Sequence, residues 1–287
     1  MAATQARAGV RLWDLATRSY VGLADLGTQG VGAAFLPDRS VLLTAGAKEV
    51  LLWSLEEEDG AVRFADRQPT ILPLPQVATD LRVTPDGKTL LFGDTDGTLW
   101  ATGLAEPFQR HSLGTHPNVA YLSVSPDGRL LATGAWHGVD VRVWDVVKAE
   151  LVHTISIPRA TKVAFSPDGR WLATSESEHV LWDVRSWEPI ARFPSPRYMD
   201  LPGEITFSSD SRLMAVRAGQ DTVELIDLYH LKPVAHLRCP APIMFRAFAF
   251  TPDGSQLIVL DDARGHLLHA WDLRILRRQL AEIGLDW

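Results

Sequence analysis

The chain has 287 residues, 46% hydrophobic and 22% charged, the proportions of an ordinary globular protein. It contains no run near the ~20 apolar residues of a membrane span, and its first residues lack the apolar centre of an export signal, so no membrane association and a cytoplasmic setting are expected. A net charge of −7 with scattered basic residues argues against general affinity for nucleic acid, and the lone Cys239 excludes an internal disulfide.

In chain order, residues 1–4 and 9–12 lead into Trp13-Asp14, and a further strand is expected near residues 20–26. From residue 31 onward one unit recurs. A short alternating strand runs into a Pro-Asp-Gly type turn, a second strand follows, then a polar turn, a third strand ending in Trp-Asp, and a fourth strand. The turn reads LPDRS at Leu36, TPDGK at Thr84, SPDGR at Ser125 and Ser166, SSDSR at Ser208 and TPDGS at Thr251. The end reads Trp53-Ser54, Trp144-Asp145, Trp182-Asp183, Ile226-Asp227 and Trp271-Asp272. Residues 118–146 are the fullest copy, and period-2 alternation, β-branched content and Pro/Gly punctuation all mark antiparallel strands there. Steps between the turn aspartates Asp38, Asp86, Asp127, Asp168, Asp210 and Asp253 are 48, 41, 41, 42 and 43 residues.

A period of roughly 40–45 residues with four strands and a terminal Trp-Asp resembles the WD40 repeat. The resemblance covers nearly the whole chain and implies an all-β fold, a WD40-type β-propeller over residues 1–273, which serves mostly to bind proteins. With strands named a to d from the channel outward, the N-terminus supplies b, c and d but no a, and residues 245–271 supply a, b and c but no d. The expectation is seven blades, the first lacking its inner strand and the last its outer strand, in a chain that is a fragment of a longer protein. The alternative is a six-bladed ring closed by residues 20–26, with residues 1–15 as a tail.

The second repeat carries the largest insertion, residues 54–76, with Glu56-Glu57-Glu58-Asp59-Gly60 placed at a solvated turn. In the next repeat, alignment puts Thr102, not Trp100, at the position of the WD tryptophan. The tail beyond Asp272 has Leu273, Leu276, Leu280 and Ile283 at helical spacing, Asp272 as N-cap and Gly284 as a stop, predicting a short amphipathic helix over residues 274–287. This ending resembles the one that closes WD40 regions attached to bacterial Ser/Thr protein kinases, although no kinase motif is present here.

Candidate chemistry is sparse. Gly87-Lys88-Thr89 lacks the first glycine of a phosphate loop, where Arg82 stands. Asp94-Thr95-Asp96-Gly97 opens like a calcium loop, but position twelve is Ala105 rather than a glutamate. His153, His179 and His230 are single histidines with a structural or solvated role expected. The inner strands contribute only Asp80, Arg82, Lys162, Glu204 and Arg246 as ionisable groups, so no catalytic residue, metal or cofactor is assigned. A lactonase- or sialidase-like enzyme with a central-channel site is the alternative function.

The preferred reading is a non-catalytic scaffold for a protein partner. Strands a and c run the same way, so the b–c and d–a loops share one face. That face carries the less repetitive residues His116, Asn118, Trp136, His137, Arg159, Arg197, Tyr198 and Met199, a composition of aromatics, arginine and methionine that interface centres favour.

Overall fold

The computed structural model describes residues 2–6, 9–14, 19–25, 32–38, 40–46, 48–58, 61–65, 68–157, 159–194, 202–239, 245–261 and 267–282. The chain divides into two compact units, residues 1–156 and 157–287. Every sheet in both units is antiparallel and built from strands consecutive in sequence, apart from one hairpin.

In the first unit, the first sheet holds β1 (Ala2–Ala6), β2 (Gly9–Asp14) and β3 (Ser19–Asp25). Ala2 lies opposite Trp13, as Leu131 lies opposite Trp144 in the fourth sheet, so the N-terminal residues occupy a b strand in register. The second sheet holds β4 (Gly32–Phe35), β5 (Val41–Ala45), β6 (Glu49–Glu58), β7 (Ala61–Phe64) and β8 (Thr70–Pro73). The third holds β9 (Ala78–Val83), β10 (Thr89–Asp94), β11 (Thr98–Gly103) and β12 (Arg110–Thr115). The fourth holds β13 (Val119–Val124), β14 (Leu130–Ala135), β15 (Asp140–Asp145) and β16 (Glu150–Ser156).

The three glutamates of the acidic run are strand rather than turn, contrary to the sequence expectation, while Asp59 and Gly60 lie outside the described residues. Glu56, Glu57 and Glu58 extend β6, which pairs with β8 through residues 49–52 and with the inserted β7 through residues 55–58. Their charge is met across the hairpin, where Arg63 pairs with both Glu56 and Glu58. The inner face of the hairpin is apolar: Phe64 meets the Trp53 ring edge-on at 5.5 Å and lies against Gly22 of β3, where a Cβ would come within 3.0 Å of its ring.

In the second unit, the fifth sheet holds β17 (Lys162–Phe165), β18 (Trp171–Ser175), β19 (Glu178–Asp183) and β20 (Pro189–Pro194). The sixth holds β21 (Ile205–Phe207), β22 (Leu213–Arg217), β23 (Thr222–Asp227) and β24 (Lys232–Arg238). The seventh has three strands, β25 (Phe245–Phe250), β26 (Gln256–Asp261) and β27 (Leu267–Asp272). Helix α1 (Leu273–Ala281) follows directly, its N-cap Asp272 accepting from the Ile275 amide at 3.0 Å. Leu273 and Leu276 of α1 pack into the cluster around Leu257 and Val259. The expected stop, Gly284, lies outside the described residues. No helix among them is long and apolar enough to cross a membrane.

Two recurring hydrogen-bond devices explain the sequence repeat. In the a–b turns the aspartate accepts from the hydroxyl two residues earlier and from the amide two residues later, as Asp86 does from Thr84 and Lys88 and Asp168 from Ser166 and Arg170. The hydroxyl contact holds the Asp86 and Asp127 carboxyls below the ordinary carboxylate range. At the c–d turns the aspartate of the Trp-Asp pair caps two following amides, as Asp145 does for Val147 and Lys148. Asp183 and Asp227 repeat this for Arg185 and Ser186, and for Tyr229 and His230. Each of these turns then places one residue in the left-handed region, Ala149, Trp187 and Leu231, with φ of 54, 58 and 53°.

Candidate functional site

The centre of the fourth sheet is polar. Trp144 Nε1 donates to Thr133 Oγ1 at 3.1 Å, and Thr133 Oγ1 lies 2.7 Å from His116 Nδ1. His116 Nε2 lies 3.0 Å from Asp140 Oδ1, whose other oxygen accepts from Arg142 Nε at 3.0 Å. The chain of partners assigns roles. Nε2–H donates to the carboxylate, the threonine hydroxyl donates to Nδ1 at 2.7 Å in preference to the Arg142 carbonyl at 3.2 Å, and the threonine oxygen accepts from the indole. A neutral imidazole satisfies all of them, and burial, opposed by the Asp140 charge, lowers the His116 pKa.

The tryptophan-to-threonine bond recurs as Trp53 to Thr44 at 2.9 Å and Trp182 to Thr174 at 3.0 Å. The fold is a WD40-type β-propeller. A family profile for eukaryotic translation initiation factor eIF2A matches residues 109–184. The chain is 27% identical over 209 residues to transcription initiation factor TFIID subunit 5 of Caenorhabditis elegans, covering 68% of this chain and 29% of that protein. It is 32% identical over 221 residues to dihydro-heme d1 dehydrogenase of Pseudomonas aeruginosa, covering 76% and 42%. It is 26% identical over 293 residues to human WD repeat-containing protein 90, covering 92% and 16%. The chain thus spans less than half the length of each of these relatives.

His116 does not belong on a partner-binding surface, contrary to expectation: it is 1% exposed and both ring nitrogens are engaged. Its role in the propeller is to tie the loop before β13 to β14 and to the start of β15, on either side of the loop that carries Trp136. Next to it, Asn118 is exposed in the left-handed region at φ 58°, a conformation asparagine tolerates better than most residues. Its carbonyl accepts from the Trp136 amide at 2.9 Å, joining the two loops a second time. Trp136 is 40% exposed. Its ring lies 6.1 Å from Tyr121 and 6.2 Å from His137, centroid to centroid. Arg159, in the second unit, is exposed and pairs with Glu176 at 3.7 Å. Arg197, Tyr198 and Met199 lie outside the described residues.

Two residues of this loop face were not singled out in the sequence. Tyr121 reads as one more residue of an inner strand, and Asp140 as part of a polar turn; the signal for Asp140 was its place one strand length before Asp145, across from the loop that holds His116. The turn of the third sheet adjoins the loop before β13, because Gly97 packs on the His116 carbonyl and Pro117.

Asp94 is occupied as a turn former: Oδ1 accepts from the Asp96 and Thr98 amides at 2.9 and 3.0 Å, and Oδ2 accepts from Trp100 Nε1 at 2.8 Å. Among the inner-strand ionisable groups, Asp80 pairs with Arg82 at 2.6 Å and accepts from the Leu122 amide at 2.9 Å, and Lys162 pairs with Glu204. His179 is buried, with Nε2 on the Arg217 carbonyl at 3.1 Å, while His230 is exposed beside Asp227. Among the described residues no group of three or more His, Cys, Asp or Glu is placed to hold a metal ion.

Proposed function

We propose that the chain is a non-catalytic interaction scaffold whose loop face binds a protein partner, with Asn118, Trp136 and His137 at the centre of the contact in the first unit. The observation that carries this reading is the half-exposed Trp136 indole, held by a backbone hydrogen bond on a turn whose base is fixed by the His116 network. A large rigid ring on a preorganised loop is what interface anchors require. Arg159, Arg197, Tyr198 and Met199 are proposed as further contacts from their loop positions in their own repeats, and residues 1–273 as one domain with α1 as its tail. The tail supports a second level of the proposal, that the parent is a bacterial signalling protein working in the cytoplasm.

The test is capture of the partner from the native cell, followed by titration of variants. Trp136→Ala and Tyr198→Ala each weaken binding by about 1–3 kcal/mol, while Arg129→Ala and Arg170→Ala beside the a–b turns leave it unchanged. Loss of the partner in the arginine variants, with Trp136→Ala and Tyr198→Ala unaffected, assigns binding to the opposite face and overturns the proposal. A second reading, a propeller enzyme, has in its favour the 32% identity to a protein named dihydro-heme d1 dehydrogenase. Against it stand the inner-strand carboxylates, which are held by the cations and amide beside them. Tight, stoichiometric stabilisation by haem or a divalent metal in a thermal-shift assay would favour the enzyme.

A further inference from the structure

The partner's chemistry is written in the rings around Trp136. Tyr121, Trp136 and His137 follow one another at about 6 Å spacing, tilted by 42° and then by 84°, so the exposed indole is flanked by a second ring on a different plane and by a ring edge. The loop segments on the same face, residues 95–97, 117–118 and 136–140, contain two carboxylates and no lysine or arginine. Asp140 is neutralised by Arg142 and bound to His116, which leaves Asp96, exposed on the turn seated against Pro117, as the charge of the rim. Aromatic faces attract cations, and a guanidinium also stacks flat on an indole. A seat with several ring faces, an unneutralised carboxylate and no lysine or arginine is complementary to a cation rather than to an anion.

Resting on the scaffold reading above, we propose that Tyr121 and Trp136, with His137 as a wall and Asp96 at the rim, form the seat for an arginine side chain of the protein partner. The guanidinium lies over the exposed indole face, and Asp96 provides the long-range attraction.

The experiment is a titration of the full chain, 15N-labelled, followed through its tryptophan indole resonances, with that of Trp136 assigned by its loss in Trp136→Phe. The probes are N-acetyl-arginine methylamide and its uncharged isostere N-acetyl-citrulline methylamide. The expected result is a saturable shift of the Trp136 resonance by the arginine probe, with the citrulline probe and Asp96→Asn each weakening binding by about threefold or more. Equal shifts by both probes would show an apolar surface without charge selectivity and overturn the proposal, as would no shift by either. In both cases the scaffold reading stands if Trp136→Ala still loses the captured partner. If the arginine probe binds but Trp136→Ala keeps the partner, the scaffold reading fails instead, and the arginine seat is not the partner's.

Discussion

The third and fourth sheets pair their strands in the same register but fill their centres differently. Where the fourth places Thr133 opposite Arg142, the third places the fully buried Phe92 opposite Trp100. Where the fourth has Trp144, the third has Thr102, and the indole has moved two residues along the strand to Trp100, stacked on Phe92 with centroids 6.5 Å apart. The bulge moves with it, from Val143/Trp144 to Leu99/Trp100. Arg110 covers the region the larger ring leaves, its Nε on Thr102 Oγ1 at 3.2 Å and its guanidinium 5.9 Å from the Phe92 centroid. The blade backbone therefore tolerates either a polar or an apolar centre. What the polar one adds is loop control: His116 belongs to the loop that carries Asn118, and Asp140 opens the strand that follows the loop carrying Trp136. In the third sheet Thr98 stands where Asp140 does, and no imidazole among the described residues is hydrogen-bonded to it.

The comparison breaks first at the tryptophans. Trp144→Ala removes a side chain that is 5% exposed and is expected to cost about 3–5 kcal/mol in urea unfolding. Trp100→Ala, half-buried, costs clearly less; equal costs would mean that the two centres are not different solutions.

Acid sharpens the comparison next, because Phe92 and Trp100 carry no titrating group and the imidazole solutions do. The strongest case is His179 of the fifth sheet, whose pKa burial lowers from 6.5 to about 4, only partly offset by the Arg217 carbonyl. Its Nδ1 is buried without a hydrogen-bond partner among the described residues. A depressed histidine pKa means that the unfolded chain binds more protons between these values. Its contribution is therefore complete above pH 6.5 and lost as pH falls toward 4, about 3 kcal/mol in all. His116 acts in the same direction. Urea midpoints from pH 7 to 4 should fall steeply in the native chain and less in His179→Val; parallel curves would refute the assignment.

Thr133→Val is the selective cut through the fourth sheet's network. It leaves the Trp144 N–H and His116 Nδ1 unmet inside the protein, at a cost of about 2 kcal/mol. Because the loops lose their common tie, partner affinity should fall along with stability. Stability loss with full affinity would show that the network does not position the loop face. The smallest effect is expected at the c–d turn of the same sheet. Ala149→Gly relieves a left-handed residue, and the gain is offset by backbone entropy, giving between no change and about 1 kcal/mol of stabilisation.

Most of the strand order was legible because the repeat is written in turn chemistry, which is local. Each Ser/Thr-Pro-Asp and each Trp-Asp closes on partners within about five residues, so reading the sequence amounts to reading the hydrogen bonds. The shift of the WD position to Thr102 was visible for the same reason. His116 was misplaced because its partners, Thr133 and Asp140, are 17 and 24 residues away, and no local rule distinguishes a loop histidine that turns inward from one that faces solvent. The length of β6 was missed because glutamates ahead of Asp59-Gly60 carry no strand signal when considered alone. Arg63, opposite them, is what makes the extended β6 acceptable. Tyr121 escaped notice because alternation marks an inner-strand residue as core without saying which end of the strand a ring leans toward.

The hairpin inserted in the second sheet bears on how the chain folds as it is synthesised. In every other sheet each strand finds its neighbour in the segment made just before it, so pairing keeps pace with elongation and closes only short loops. Strand β6 is the exception: after turning back on itself through β7, its first half must wait, edge unpaired, until β8 emerges. That interval is where the nascent protein is most open to pairing with another chain. The charged far half of β6, already closed against Arg63, shortens the edge left waiting to residues 49–52.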